Sequence, residues 1–254
     1  RAWLAPPPDS LPRGPIGVVA VGKAAVGMAR AMLAAAGSIG CDVQSGVVIA
    51  PRSATPPQLP SQVRWCPADH PRPTTASVDA GQAALEVADR CRRDHLPLLV
   101  LLSGGASSLM CVPEHGLSVD DLAGLTDALS RAGAPIAELN AVLPDVFATP
   151  TDLIGSAPPA APRATAADAL AILERRGLSR RFKSVAAHLR LRSTSPIEGP
   201  MPPVHHDIIV DNAAAIAAGA GRLTELGFTV AAPVTGVARE ARDRAFEVGA
   251  AART

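Results

Sequence analysis

Leu98-Leu99-Val100-Leu101-Leu102-Ser103-Gly104-Gly105-Ala106-Ser107-Ser108-Leu109-Met110-Cys111 is the stretch from which the rest of the 254-residue chain takes its meaning. Its first five residues are an unbroken apolar run, the pattern of a strand covered on both faces, as in a parallel sheet with helices above and below. The run stops at Ser103. Gly104 and Gly105 permit backbone shapes closed to other residues and let a ligand reach the main chain. Ser103, Ser107 and Ser108 supply hydroxyl groups. A helix beginning near Ala106 adds free N–H groups and the positive end of its dipole. Strand, Gly/Ser turn and helix start together predict an anion site, above all for phosphate, at the carboxyl end of a central strand.

Working outward, strand and helix signals alternate. Ile16 to Val21 reads as a buried strand ending in Gly22-Lys23, and Ala24 to Ala36 as an Ala-rich helix closed by Gly37 and Gly40. Gly46 to Ala50 and Val63 to Cys66 read as strands, with a Pro-rich loop at 52–62 between them. Thr75 to Asp94 carries apolar residues on one face and charges on the other, a helix. Beyond the central stretch, Ser118 opens a helix to about Ala132, Ile136 to Val142 a short one, and Thr165 one to Arg176. A basic helix is expected within 180–192 and an Ala-rich helix over Asn212 to Leu226. Strands are expected at Asp207 to Val210 and Phe228 to Ala232, and a last helix at Ala238 to Ala252. Residues 143–162 have little periodicity. The alternation predicts an α/β fold, a Rossmann-like, doubly wound, mostly parallel sheet with helices on both faces. Residues 1–15 form a Pro-rich lead-in and 16–254 the domain.

Composition narrows the function. Apolar residues make up 48% of the chain but aromatic ones only 2%, so the core must be Ala, Val and Leu. A net charge of +1, without basic patches interleaved with aromatics, argues against a nucleic-acid or membrane-surface role. No apolar run approaches membrane-spanning length. Cys41, Cys66, Cys91 and Cys111 are widely spaced and read as reduced thiols, which favours a cytoplasmic location. Prolines at 6–8 replace the apolar middle of a signal peptide. The missing start Met suggests a chain beginning inside a longer gene product. Lys23 and Lys183 are the only lysines in an Arg-rich chain.

Several motifs fail on inspection. Gly17 to Ala24 nearly fits a P-loop, but Val18 to Val21 belong to a strand and Ala24 has no hydroxyl for magnesium. Gly22-Lys23-Ala24-Ala25-Val26-Gly27 is not a dinucleotide fingerprint. Ser107 lacks the second glycine of a hydrolase elbow. His205-His206-Asp207 is a poor chelator, because neighbours in a strand face opposite ways. What survives is the Lys23 ammonium at the end of the first strand, able to hold a phosphoryl group as a point charge. His70, between Asp69 and rigid prolines, is either a positioned polar side chain or a plain turn residue.

Gly22-Lys23-Ala24, His70-Pro71-Arg72-Pro73, Ser103 to Leu109 and Gly133-Ala134-Pro135-Ile136-Ala137-Glu138-Leu139-Asn140 occur in this order. In that order and spacing they resemble the glycerate 2-kinases of the MOFRL-associated type, over roughly residues 14–240. The resemblance implies ATP- and magnesium-dependent phosphorylation of glycerate to 2-phosphoglycerate, on a large Rossmann-like domain facing a smaller C-terminal one. Some members carry the older description hydroxypyruvate reductase. Carried over by position, Lys23 and Asp145 would be catalytic, with Asp145 also meeting Mg2+. Ser103, Gly104, Gly105, Ser107, Ser108, His70 and Asn140 would bind phosphate or substrate. Glycerate and a nucleotide are the implied partners, and a homodimer is compatible with the fold.

The departures are specific. Ala106 replaces a third glycine, Thr74 replaces the aspartate after the His-Pro-x-Pro motif, and Thr149 replaces a second aspartate. After Asn140 the family's basic segment is missing, and Ala141-Val142-Leu143 runs directly into Pro144-Asp145. The family's C-terminal domain has no counterpart in the sequence. Weak or absent kinase turnover is therefore expected of this chain by itself. A non-catalytic anion-binding module is the alternative, and an NAD(P)H-dependent hydroxypyruvate reductase a further one.

Overall fold

The computed structural model describes residues 11–142, 165–193 and 212–230. Four strands form one sheet: β1 (Gly14–Val21), β2 (Cys41–Pro51), β3 (Val63–Ala68) and β4 (Leu98–Leu102), in the order β3-β2-β1-β4. Every pairing is parallel. The chain moves outward from β1 to β2 to β3, then crosses back through α2 (Thr75–Arg93) to place β4 on the other side of β1. The direction of winding thus reverses between β1 and β4, the doubly wound arrangement. Such a reversal leaves a crevice at the carboxyl ends of the two strands.

The alternation of side chains along β1 separates two cores. Ile16, Val18 and Ala20 pack with Ala25, Ala29 and Met32 of α1 (Ala25–Ala35). Val19 and Val21 pack with Ala80, Ala83, Ala84 and Val87 of α2 on the opposite face. Small residues bring these helices close to the sheet. Gly81 lets α2 approach the Cys111 carbonyl, where a β-carbon would collide with it.

Among the described residues β4 lies at one side of the sheet, with Leu101 the most deeply buried of its five residues. Helices cover both of its faces. Leu99 and Leu101 join the α1 core, while Leu98, Val100 and Leu102 join the α2 core. One expectation needs correction: Phe228–Val230 is irregular and exposed, not the start of a strand. The strand expected at 207–210 and the helix at 238–252 lie outside the described residues.

After β4 the chain turns through α3 (Ala106–Leu109) into a layer of helices: α4 (Val119–Arg131), α5 (Ile136–Val142), α6 (Ala166–Arg175) and α7 (Lys183–Arg192). Ser118 and Asp121 form a reciprocal cap on α4, as do Thr165 and Asp168 on α6. Leu122, Leu125, Leu129, Leu173, Phe182, Val185 and Leu189 fill a third core. These elements belong to a compact unit of residues 1–204; residues 205–254 form a second. In the second unit, α8 (Asn212–Glu225) ends at Gly227, whose φ is +86°. Among the described residues no helix is long and apolar enough to cross a membrane. Cys41, Cys66, Cys91 and Cys111 are all free thiols.

Candidate functional site

The loops after β1 and β4 meet because Val21 pairs with Leu102 in the sheet. The next residues are therefore neighbours, and the main chain fastens them. Ser103 N–H donates to the Val21 carbonyl (3.0 Å), and Lys23 N–H donates to the Gly104 carbonyl (2.9 Å). Gly22 donates to the Ile49 carbonyl of β2 (3.1 Å). Its φ of +118° and the closeness of Ser103 exclude a side chain: a β-carbon there would strike the Ser103 hydroxyl and carbonyl.

The serines divide by what their hydroxyls do. Ser103 Oγ accepts from the Ala24 N–H (3.0 Å) and donates to the Val21 carbonyl (3.3 Å). It ties the start of α1 to β4, where α1 has no side-chain cap of its own. Ser108 Oγ donates to the Gly105 carbonyl (3.1 Å) within the turn of α3. Ser107 is half-buried and makes no side-chain hydrogen bond among the described residues. Gly104 is exposed with open space on its side-chain face, and Gly105 holds φ +91° at the start of α3.

His70 and Lys23 converge over Gly105. A β-carbon on Gly105 would lie 2.9 Å from His70 Cδ2, 3.1 Å from His70 Nε2 and 3.4 Å from Lys23 Cε. Glycine at 105 is what lets the His70 ring and the Lys23 side chain pack this closely against the main chain. Burial, and then the Lys23 ammonium, push the His70 pKa below its ordinary value, favouring the uncharged imidazole. Lys23 is exposed and makes no ion pair among the described residues. Lys23, His70, Gly104, Gly105, Ser107 and Ser108 thus share one place, with Ser103 beneath as a fastener.

The histidine loop has its own supports. β2 and β3 pair Pro51 with Ala68, so Arg52 and Asp69 emerge side by side. Arg52 Nε donates to Asp69 Oδ1 (2.9 Å), and Thr74 Oγ1 donates to Asp69 Oδ2 (2.6 Å). The Thr74 hydrogen bond first, and the Arg52 guanidinium with it, hold the Asp69 carboxyl below the usual range. Thr74 also caps α2 in a reciprocal pair with Ser77. Arg72 Nη1 reaches Asp127 of α4 (2.6 Å), joining this loop to the helical layer. Arg52, Asp69 and Asp127 were not singled out from the sequence. Only the strand register brings the first two together, and the only hint of it was that each directly follows an apolar strand.

Asn140 lies in α5, and its side chain is outside what is described. Glu138 in the same motif has a visible task. Arg175 and Arg176 both donate to its carboxylate at 2.9 Å, and Arg176 also reaches the Ala132 carbonyl. Asp145 and His205-His206-Asp207 lie outside the described residues. Among the described residues no group of three His, Cys, Asp or Glu side chains could hold a metal.

Comparison with known proteins supplies the family. The model for DUF4147, a domain of unknown function, matches residues 7–143, more than half of the chain. The glycerate 2-kinase of Pyrococcus horikoshii is 29% identical over 266 residues, covering 93% of this chain and 59% of its own length. A putative hydroxypyruvate reductase of Agrobacterium vitis is 35% identical over 126 residues, covering 49% of this chain and 31% of its own. The crystal structure of a Thermotoga maritima glycerate kinase superposes with a TM-score of 0.68 at 27% identity, covering 86% of this chain and 56% of that one. The chain spans little more than half the length of the first of these relatives and less of the second. The matched residues 7–143 contain the whole sheet and the Lys23–His70–Gly105 cluster, and by them this chain belongs to the DUF4147 family, as a glycerate 2-kinase-like member.

Proposed function

We propose that the crevice at Lys23 and the Gly104–Ser108 turn is the anion-binding part of a glycerate 2-kinase-like site, taking phosphate or carboxylate oxygens. One observation carries this: the Lys23 side chain, which makes no ion pair among the described residues, lies beside Gly105 at the crevice where the sheet reverses its winding. The residues fit such a group. Gly104 is exposed with open space beside its main chain, and Ser107 makes no side-chain hydrogen bond among the described residues. Phosphoryl transfer from ATP depends on positioning and charge neutralisation more than on covalent chemistry. In that role Lys23 would hold anionic oxygen, Ser107 would hydrogen-bond to it, and Ser103 would keep the two loops in register. Asp145, the residue that would meet Mg2+, lies outside the described residues.

The departures after Asn140, where a basic segment is missing, favour binding with little turnover by this chain alone. The reductase reading has less support, because Gly22 to Gly27 is not a dinucleotide-binding turn.

Amine labelling read by mass spectrometry tests the site, since Lys23 and Lys183 are the only lysines. Phosphate or glycerate is expected to protect Lys23 and leave Lys183 reactive. Equal protection of both, or of neither, overturns the proposal. In parallel, ADP release with glycerate and ATP-magnesium is expected to fall below the order of 1–100 per second usual for kinases. Turnover within that range would refute the binding-only half of this reading.

A further inference from the structure

We infer that Arg52 is a positioning residue for the anion site: it holds the Asp69 carboxylate to itself, so that the Lys23 ammonium is left for a ligand. The inference rests on the anion-site reading above and deepens it, by naming what keeps the site positive.

The need for such a residue follows from the chain itself. Asp69 directly precedes His70, and the His70 ring packs over Gly105, where the Lys23 side chain also lies. A carboxylate one residue from that ring competes for the ammonium that an anion would need. The fold settles the competition in advance. Because Pro51 pairs with Ala68, Arg52 and Asp69 leave the sheet side by side, and the Arg52 N–H donates to the Ala68 carbonyl (3.0 Å). With both main chains fixed, Arg52 Nε donates to Asp69 Oδ1 at 2.9 Å, and the Thr74 hydroxyl donates to Oδ2 at 2.6 Å. Both carboxylate oxygens are thus engaged.

The charges divide accordingly. The Thr74 hydrogen bond, and then Arg52, hold the Asp69 carboxyl below its usual range; burial, and then the Lys23 ammonium, hold the His70 ring below its own. The cation beside each group is a different one. The other carboxylate that meets the histidine loop, Asp127 of α4, is held by Arg72 at 2.6 Å. Each of these two acids therefore has its own arginine, while Lys23 makes no ion pair among the described residues. Arginine suits that task, since its planar fork matches a carboxylate. Thr74 belongs to the same arrangement. An ionised aspartate at 74, as in the family pattern, could not donate to Asp69 and would add a second negative charge. The clamp on Asp69 is thus a feature of this chain's own residues.

The test follows two readings on the full chain: protection of Lys23 from amine labelling by inorganic phosphate, and titration of the His70 ring by NMR. In Arg52→Gln the Asp69 carboxylate loses its counter-charge. Phosphate should then bind about fivefold more weakly, the scale of one uncompensated charge a short distance away near a protein surface. His70 should titrate at a higher pH than in the unaltered chain, because a free carboxylate favours the imidazolium. In Arg52→Gln/Asp69→Asn the competitor is gone as well, and both readings should return to those of the unaltered chain. A role in folding alone would not be rescued by a second loss. Unchanged readings in Arg52→Gln, or a double variant that binds phosphate as weakly as the single one, overturn the assignment and leave the anion site standing. Failure of phosphate to protect Lys23 in the unaltered chain sinks the anion site, and this assignment with it.

Discussion

The sheet with its two flanking helices and the layer of α4 to α7 are built from different materials. Around the sheet the buried side chains are small: Ala20, Ala25, Ala29 and Ala50 on one face, Ala80, Ala83 and Ala84 on the other. In the helical layer they are large, led by Leu122, Leu125, Leu129, Leu173, Leu189 and Phe182. Small side chains let backbones approach until they bond each other directly, as Lys23 to Gly104 and Gly22 to Ile49 do. Large ones fill space between helices whose backbones stay apart. The first design fixes main-chain positions closely, and the candidate site is built there. The second supplies bulk, and meets the site loops through a surface pair, Arg72–Asp127.

The two designs should fail in opposite ways. The sheet side should fail when atoms are added. Gly22→Ala puts a β-carbon into Ser103 at a positive φ, and the combination of strain and overpacking should cost about 4 kcal/mol. Urea denaturation would measure it, and a loss under about 1 kcal/mol would deny that the β1 and β4 loops are this close. The helical side should fail when atoms are removed. Leu129→Ala should cost about 3 kcal/mol by leaving a cavity, with Lys23 protection by phosphate unchanged. If that protection also vanished, the layers would not be separable. The smallest effect is expected at the seam near the histidine loop. The folded Asp69 carboxyl titrates below its unfolded value, so the folded state binds fewer protons between the two values. The stabilisation from Thr74 and Arg52 is complete above the ordinary carboxylate range, about pH 4, and fades as pH falls through the lowered folded value. Asp69→Asn should therefore flatten the stability curve between about pH 5 and pH 3. An unchanged acid limb would mean that the pair does not form.

How much of this could be read in advance follows the range of the interactions. β1, α1, α2 and the caps of α4 and α6 depend on local signals: apolar runs, the reciprocal Ser118–Asp121 and Thr165–Asp168 pairs, and glycines at helix ends. Their ends fall within about two residues of expectation. The apolar run of β4 reports that both of its faces are covered, by α1 and α2, and not how many strands lie beside it. The meeting of Lys23 with the Gly/Ser loop was expected. The engagement of Ser103 with the protein itself was not, because it depends on a register of Val21 with Leu102 that no single stretch encodes. The Arg52–Asp69 pair was hidden for the same reason, whereas the nearness of His70 to Gly105 followed from the family resemblance.

All four strands point the same way, and this separates the molecule's two rims. The turn at Gly37-Ser38, between α1 and β2, is exposed and sits on the rim opposite the one that carries Lys23. Exposed turns of small residues accept inserted chain readily. A fluorophore or an affinity handle placed there would leave the crevice untouched, so the far rim is the natural point at which to tether this protein to a surface.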